Sequence, residues 1–497
     1  MQRLSPWTLV MAVITYAGAH SLEKRSPHYT IETRVIVDSH AFNSWKTRLG
    51  SSDADIKTTM EKYVNSTFND LNSILNGLSQ AGINMDARIV SIEFVTENIL
   101  SSNAGTADSD QVLNTFEQWL SSNIYSSVDH TMLLTGLDLT TGLSNSTAGV
   151  SDLAKMCDAQ SSLSVVEASP SGAVIVTVVH ELGHSMGAEH DGDRNTCTAS
   201  NHIMASRGDP SKASNQNFRF SACTARFFNN FLASGRASCL TKTTVPKQAA
   251  SPLGKLYSPD QMCQMVHGKS SYFCRSLYGE GGDAYSSMCV TMRCLRPDGH
   301  SCMTVVPADG FVCGKGKRCS LGDCVADSSA PTGSATDICP LGDAPLPVSD
   351  LGGQTCSQAI ASFPGRCYQD TIRRTCCKSC QAVKTSQESC KYGDQASWCS
   401  GLKNYQCYRN SQVCCSTCKK YETDKEDCKY GDQASWCSGL KNYQCYSNSQ
   451  VCCSTCKKYE TGARGEDCKY GDKVEGCATM STSNCPLNRQ RCCDRCK

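Results

Sequence analysis

This chain has almost no net charge, no membrane-length apolar run beyond the N-terminus and no cysteine before residue 157. With 48 basic against 47 acidic residues over 497 positions, and no basic run, nothing favours nucleic acid or an anionic bilayer as a partner. Beyond the N-terminus no apolar stretch reaches the length that a membrane span needs, which argues against an anchored protein. No cysteine precedes Cys157, yet 36 lie between there and the end. So heavy a load does not survive reduced in a cytosol and implies an oxidising compartment. The length allows several domains.

The N-terminus explains the compartment. Arg3 precedes an apolar segment, Trp7 to Tyr16, and Ala17-Gly18-Ala19 has the small-x-small shape of a signal-peptidase site. Residues 1–19 therefore read as a signal peptide, and residues 20–25, which end on Lys24-Arg25, as a short propeptide or spacer. The sequons at Asn65 and Asn145 mark two candidate glycosylation sites on exposed surface.

The chemistry concentrates in His180-Glu181-Leu182-Gly183-His184-Ser185-Met186-Gly187-Ala188-Glu189-His190-Asp191. Residues four apart share a helix face, so His180 and His184 can offer two imidazole nitrogens to one zinc ion, while Glu181 is placed to handle the proton of a water. Gly187 lets the backbone turn and bring His190 back as a third ligand. Three protein ligands leave one position open, the arrangement of a hydrolytic rather than a structural zinc. Downstream, Met204 in Asn201-His202-Ile203-Met204 is placed to form an apolar floor beneath the imidazoles. Arg207-Gly208-Asp209 spells an adhesion tripeptide, but Pro210 follows it and a turn accounts for it.

From about Tyr29 to Leu240 the chain resembles the reprolysin (adamalysin) branch of the metzincin proteases, found in ADAM and ADAMTS proteins; Asp191 after the third His favours that branch. Tyr29 to Asp38 resembles the family's first strand and Asp129 to Gly136 its central one, and both read as strands on their own terms. Thr58 to Leu78 and Asp110 to Leu120 carry apolar residues at helical spacing. The resemblance implies a multidomain chain: an α/β catalytic domain over 26–242, with a mixed sheet and a zinc helix beneath it, then small disulfide-rich modules. It implies one catalytic zinc, pairing of Cys157 with Cys239 and Cys197 with Cys223, and a calcium site at Glu32 and Asp129. Sequence alone allows three pairings of these four cysteines. At the calcium site Lys242 stands where the family has Asn. The strand around Ser162 to Ala168 is expected to form the edge that aligns substrate.

Gln248 to Ser258 reads as a linker, and residues 255–326, with eight cysteines, resemble the disintegrin-like domain of ADAMTS proteases. A second linker spans 327–338. Four six-cysteine units follow at 339–380, 390–418, 428–456 and 468–496, and the vicinal cysteine pair in each resembles the PLAC module. Between Cys390 and Thr423 the second unit differs from the third only at Arg409 against Ser447, which points to duplication. No thrombospondin repeat is recognisable.

These features imply a secreted zinc endopeptidase of extracellular or matrix proteins, with Glu181 as general base and the repeats binding matrix through avidity. Two alternatives stay open: a non-enzymatic matrix or adhesion protein built on a protease scaffold, and a venom or saliva toxin.

Overall fold

The computed structural model describes residues 27–496 except 103, 123–127, 143, 209–212, 280–282, 333–338 and 463–464. The expected signal peptide, the dibasic pair, Asp209 and half of the expected second linker lie outside the described residues.

In chain order the first domain runs β1 (His28–Val37), α1 (Ser39–Leu49), α2 (Asp53–Asn76), β2 (Asn84–Phe94), β3 (Thr106–Asp108), α3 (Ser109–Ser121), β4 (His130–Thr135), β5 (Asp138–Thr141), β6 (Ser144–Thr147), β7 (Gly149–Ser151), β8 (Leu163–Glu167), α4 (Ala173–Ser185) and α5 (Ala222–Ala233). The main sheet has the order β2-β1-β4-β8-β7, with every pair parallel except β7 against β8. Parallel strands are covered on both faces, and accordingly β1 is buried from Thr30 to Val37. Strand period sends Ile36, Leu133 and Val165 to one face, where Phe116 of α3 covers them. Val35, Val37, Met132, Leu134 and Val166 face the other way, onto α1, α2 and α4.

Asp38 joins three elements at the end of β1. Its carboxylate caps α1 by accepting from the Ala41 amide at 2.7 Å, and it also accepts from the Thr135 hydroxyl and the Gly136 amide. Gly136 has to be small, because a Cβ there would fall 2.2 Å from the His40 carbonyl carbon. α4 begins with the β-branched run Val174-Ile175-Val176-Thr177-Val178-Val179, a sequence that favours a strand. It is helical because Val174, Ile175, Val178, Val179 and Leu182 all enter the core beneath the sheet.

The second domain comprises α6 (Leu253–Leu256), α7 (Pro259–His267) and short strands β9 (Met292–Leu295), β10 (Cys302–Val305), β11 (Val312–Gly314), β12 (Lys317–Ser320) and β13 (Asp323–Ala326). Four disulfides close it: Cys263–Cys294, Cys274–Cys302, Cys289–Cys319 and Cys313–Cys324. The expected linker before it is not loose. Gln248 bonds both backbone groups of Ile89, and Leu253, fully buried, shares one apolar cluster with Leu71 of α2 and Phe311.

Each six-cysteine unit pairs its cysteines first to fifth, second to fourth and third to sixth, as in Cys390–Cys415, Cys399–Cys414 and Cys407–Cys418. Neighbouring units are also clasped by tyrosines. The Tyr408 hydroxyl donates to the Gly431 carbonyl at 2.7 Å and accepts from the Tyr430 amide, and the two rings meet edge to face. Tyr368 with Tyr392 and Tyr446 with Tyr470 repeat the arrangement.

Candidate active site

The last two turns of α4 carry His180, Glu181 and His184, and Gly187 then reverses the chain in a left-handed conformation, φ +87°. This turn returns His190 to the helix, so that the three Nε2 atoms form a triangle with sides of 3.0, 3.2 and 3.2 Å. Two of the tautomers are fixed from behind. His180 Nδ1–H donates to the Ile203 carbonyl and His184 Nδ1–H to the Ala188 carbonyl, both at 2.7 Å, which leaves a lone pair on each Nε2. Burial holds the imidazoles neutral: His180 is lowered to about 4 and His184 to about 3, and His190 is lowered as well. Nitrogens this close can all reach one ion at the about 2.0–2.1 Å that zinc takes from imidazole, so the residues fit a zinc ion.

Met204 lies beneath, fully buried. Its sulfur is 2.5 Å from where a Cβ on Gly183 would sit, which explains the glycine between the two helix histidines. The Met204 carbonyl accepts from the Asp191 amide at 2.8 Å, and the Asp191 carboxylate accepts from the Ser221 hydroxyl at 2.6 Å, tying the histidine loop to α5.

Glu181 is buried, and burial pushes its carboxyl up to about 8 against the opposing effect of Ser151. Ser151 Oγ stands 2.8 Å from both the Glu181 carbonyl oxygen and Oε2. Gly149 presses on the same side chain, since a Cβ there would fall 2.8 Å from Oε1. Sequence reasoning missed both residues, and nothing local marks them, because they reach Glu181 only through the pairing of β7 with β8. They also correct the expected substrate edge: Leu163–Glu167 is an interior strand between β4 and β7, and β7 is the edge.

Other expected residues fall elsewhere. Glu32 and Asp129 meet, with Asp129 Oδ2 accepting from the Glu32 amide at 2.8 Å. The Glu32 carboxylate, however, accepts from the Thr244 amide, from the Thr244 hydroxyl at 2.7 Å and from the Val245 amide at 2.8 Å. Donors of the chain thus occupy both oxygens of the Glu32 carboxylate. Cys157 bonds Cys239, and Cys197 bonds Cys223. Asn145 is exposed, but Asn65 lies half-buried within α2 and donates its side-chain nitrogen to the Glu61 carbonyl, contrary to the exposed position expected for it.

A mixed α/β domain with three converging imidazoles on and after one helix is the architecture of a metzincin metalloprotease. Residues 29–244 match the reprolysin (M12B) family zinc metalloprotease, and residues 253–325 match ADAMTS cysteine-rich domain 2, so the chain carries a reprolysin-type protease domain of the ADAMTS-like kind. Human "A disintegrin and metalloproteinase with thrombospondin motifs 18" is 32% identical over 231 residues, 44% of this chain and 18% of that protein. Its human relative with thrombospondin motifs 6 is 30% identical over 214 residues, 41% of this chain and 18% of its own length. The matched part of the chain therefore spans under a fifth of these relatives. A solved archaemetzincin from Methanopyrus kandleri aligns with 41% of this chain and 96% of its own at 14% identity and a TM-score of 0.27. Among the described residues no helix is long and apolar enough to cross a membrane.

Proposed function

We propose that this protein is a secreted zinc endopeptidase of extracellular proteins. The observation that carries the reading is the triangle of Nε2 atoms beside a buried carboxylate. His180, His184 and His190 would hold the metal. When bound, zinc supplies Lewis acidity, which polarises a carbonyl and makes water nucleophilic near neutral pH. The positive charge of a bound metal would favour the ionised Glu181 carboxyl against the raised value that burial gives it. Glu181 then takes the proton of the attacking water at a carboxylate oxygen and returns it to the leaving amine, and Ser151 fixes the carboxylate in place. The open edge of β7 binds an extended peptide by adding a strand beside Glu181. In the tail, repeated similar units raise the local concentration of enzyme at a repetitive matrix surface.

The test is incubation of the mature protein with a proteome-derived peptide library. Cleavage should stop on chelation and return with zinc. A version ending at Val383 should cleave the library equally well and bind immobilised matrix less. No zinc-dependent cleavage would leave the scaffold reading in its place.

A further inference from the structure

The hairpin of β12 and β13 ends in a tip, Ser320 to Asp323, that bears on the first domain. The tip is rigid: Leu321 and Gly322 have φ of +48° and +82°, and Cys319 and Cys324 lie directly opposite, each in its own disulfide. It is seated closely as well, since a Cβ on Gly322 would fall 2.7 Å from Asn215 Cα and 2.9 Å from the Phe218 ring. Beside the seat, the Asp323 carboxylate accepts from Asn215 Nδ2 at 2.9 Å and from Arg219 Nη2 at 2.8 Å, and Arg219 Nη1 donates to the Leu321 carbonyl at 3.0 Å.

From Arg219 a short path leads to the histidines. The Arg219 carbonyl accepts from the Ile203 amide at 3.0 Å, and the Ile203 carbonyl accepts from His180 Nδ1–H at 2.7 Å. Met204, the floor of the site, is the next residue. The second domain thus holds the backbone whose carbonyl fixes the tautomer of the first imidazole. The Asp323–Arg219 pair is partly exposed, with side chains 45% and 35% accessible, so it contributes little to global stability as an ion pair. What it does supply is direction, because the guanidinium meets carboxylate and tip carbonyl together and is held in one orientation, which tethers the Arg219 backbone to the tip.

We propose that Asp323 is a positioning residue: acting through Arg219, the hairpin tip of the second domain sets the Ile203–Met204 segment and thereby the orientation of His180. The proposal rests on the zinc-peptidase reading above. Groups that orient a metal-bound histidine typically change metal affinity or activity by about 10- to 100-fold, and Asp323 acts one backbone link further away, so about tenfold is expected.

The experiment uses the full chain with Asp323→Ala, Arg219→Ala, the double variant and Asp323→Glu. Three quantities are read: amide exchange at Ile203, the rate of zinc loss to a chelator, and kcat and KM on a peptide too short to reach the second domain. Asp323→Ala should speed Ile203 exchange and zinc loss about tenfold and lower kcat more than KM, with the melting temperature unchanged. Arg219→Ala should do the same, the double variant should be no worse than either single one, and Asp323→Glu should recover most of the loss. Should Asp323→Ala fold poorly, Asp323→Asn removes the charge at constant shape and should show the same changes in weaker form. Wild-type exchange and zinc loss in these variants, or additive effects of the pair, would overturn the positioning role while leaving the peptidase reading intact. A wild-type protein that takes up no zinc would overturn both.

Discussion

Trp45, Ile56, Phe68 and Phe228 of the first domain are sealed in one apolar cluster that runs on to Phe311 of the second, whereas the unit at 390–418 buries chiefly its own cysteines, Leu402 and a tyrosine of the next unit. The first region has two disulfides across some two hundred residues, and each of the last three repeats has three across about thirty. A cleft that orients three imidazoles and buries a carboxylate needs a deep surround whose packing resists their repulsion and desolvation. Units held by covalent links have no such depth, but they can be short, repeated and decorated on every side. The proposed function assigns chemistry to the first kind of region and presentation to the second.

The sharpest way to break this division is Glu181→Ala. It should lower kcat/KM by about 10²- to 10⁴-fold with zinc content and melting temperature kept, because in the proposed mechanism the residue moves protons and does not hold metal. His184→Ala should lose zinc as well. If Glu181→Ala stays within a few-fold of wild type on a soluble peptide, the chemistry has been assigned to the wrong group.

Next in size is loss of one tail disulfide. Cys437→Ser with Cys452→Ser opens a loop of sequence separation 15, a change of about 3 kcal/mol. Limited proteolysis should then cut within 428–456 while turnover of a short peptide is unchanged. A parallel fall in turnover would show that the regions are not independent.

A pH series sharpens the comparison from the side of the first domain. Burial, reinforced by Asp138, pushes the Glu167 carboxyl up to about 7, against the Leu139 amide that bonds it at 2.7 Å. A raised carboxyl pKa means that the folded state holds the proton more tightly than the unfolded chain. The stability it confers is therefore complete below the ordinary value of 4.5 and lost as pH rises through about 7. Glu167→Gln, which still offers Leu139 an acceptor, should raise the melting temperature of the first domain above neutrality and leave it alone near about pH 4. The tail transition should not move at either pH.

The smallest effect is expected for Tyr408→Phe. Loss of the hydroxyl removes the bond to Gly431 and the acceptor for the Tyr430 amide, a cost of about 1 kcal/mol confined to the joint between two units. Amide exchange at Tyr430 should quicken, with no change at Ile203.

Legibility in the sequence followed range. The histidine spacing, Gly187 and the strands at 28–37 and 130–135 could be read because each depends on neighbours within one turn or one strand. β2 mixes Arg88, Ser91 and Glu93 into its apolar residues, and α1 carries few buried side chains, so neither presented a clean period. Ser151 and Gly149 meet Glu181 across a strand pairing, Gly183 is small because of Met204, and Glu32 is filled by residues at 244–245. None of these contacts has a local signature. In the tail the cysteine rhythm was evident, but the clasps between units were not, because the two tyrosines of a clasp belong to different copies.

Those clasps bear on how such a tail can lengthen. Tyr392, Tyr430 and Tyr470 each complete the core of the preceding unit, while Tyr368, Tyr408 and Tyr446 each receive the tyrosine that follows. The two inner copies, at 390–418 and 428–456, therefore each bring both plug and socket, and a gene segment of that kind copied in tandem inserts with both of its junctions already complementary. Growth by whole repeats needs no compensating mutation, which fits two adjacent copies differing between Cys390 and Thr423 at a single position.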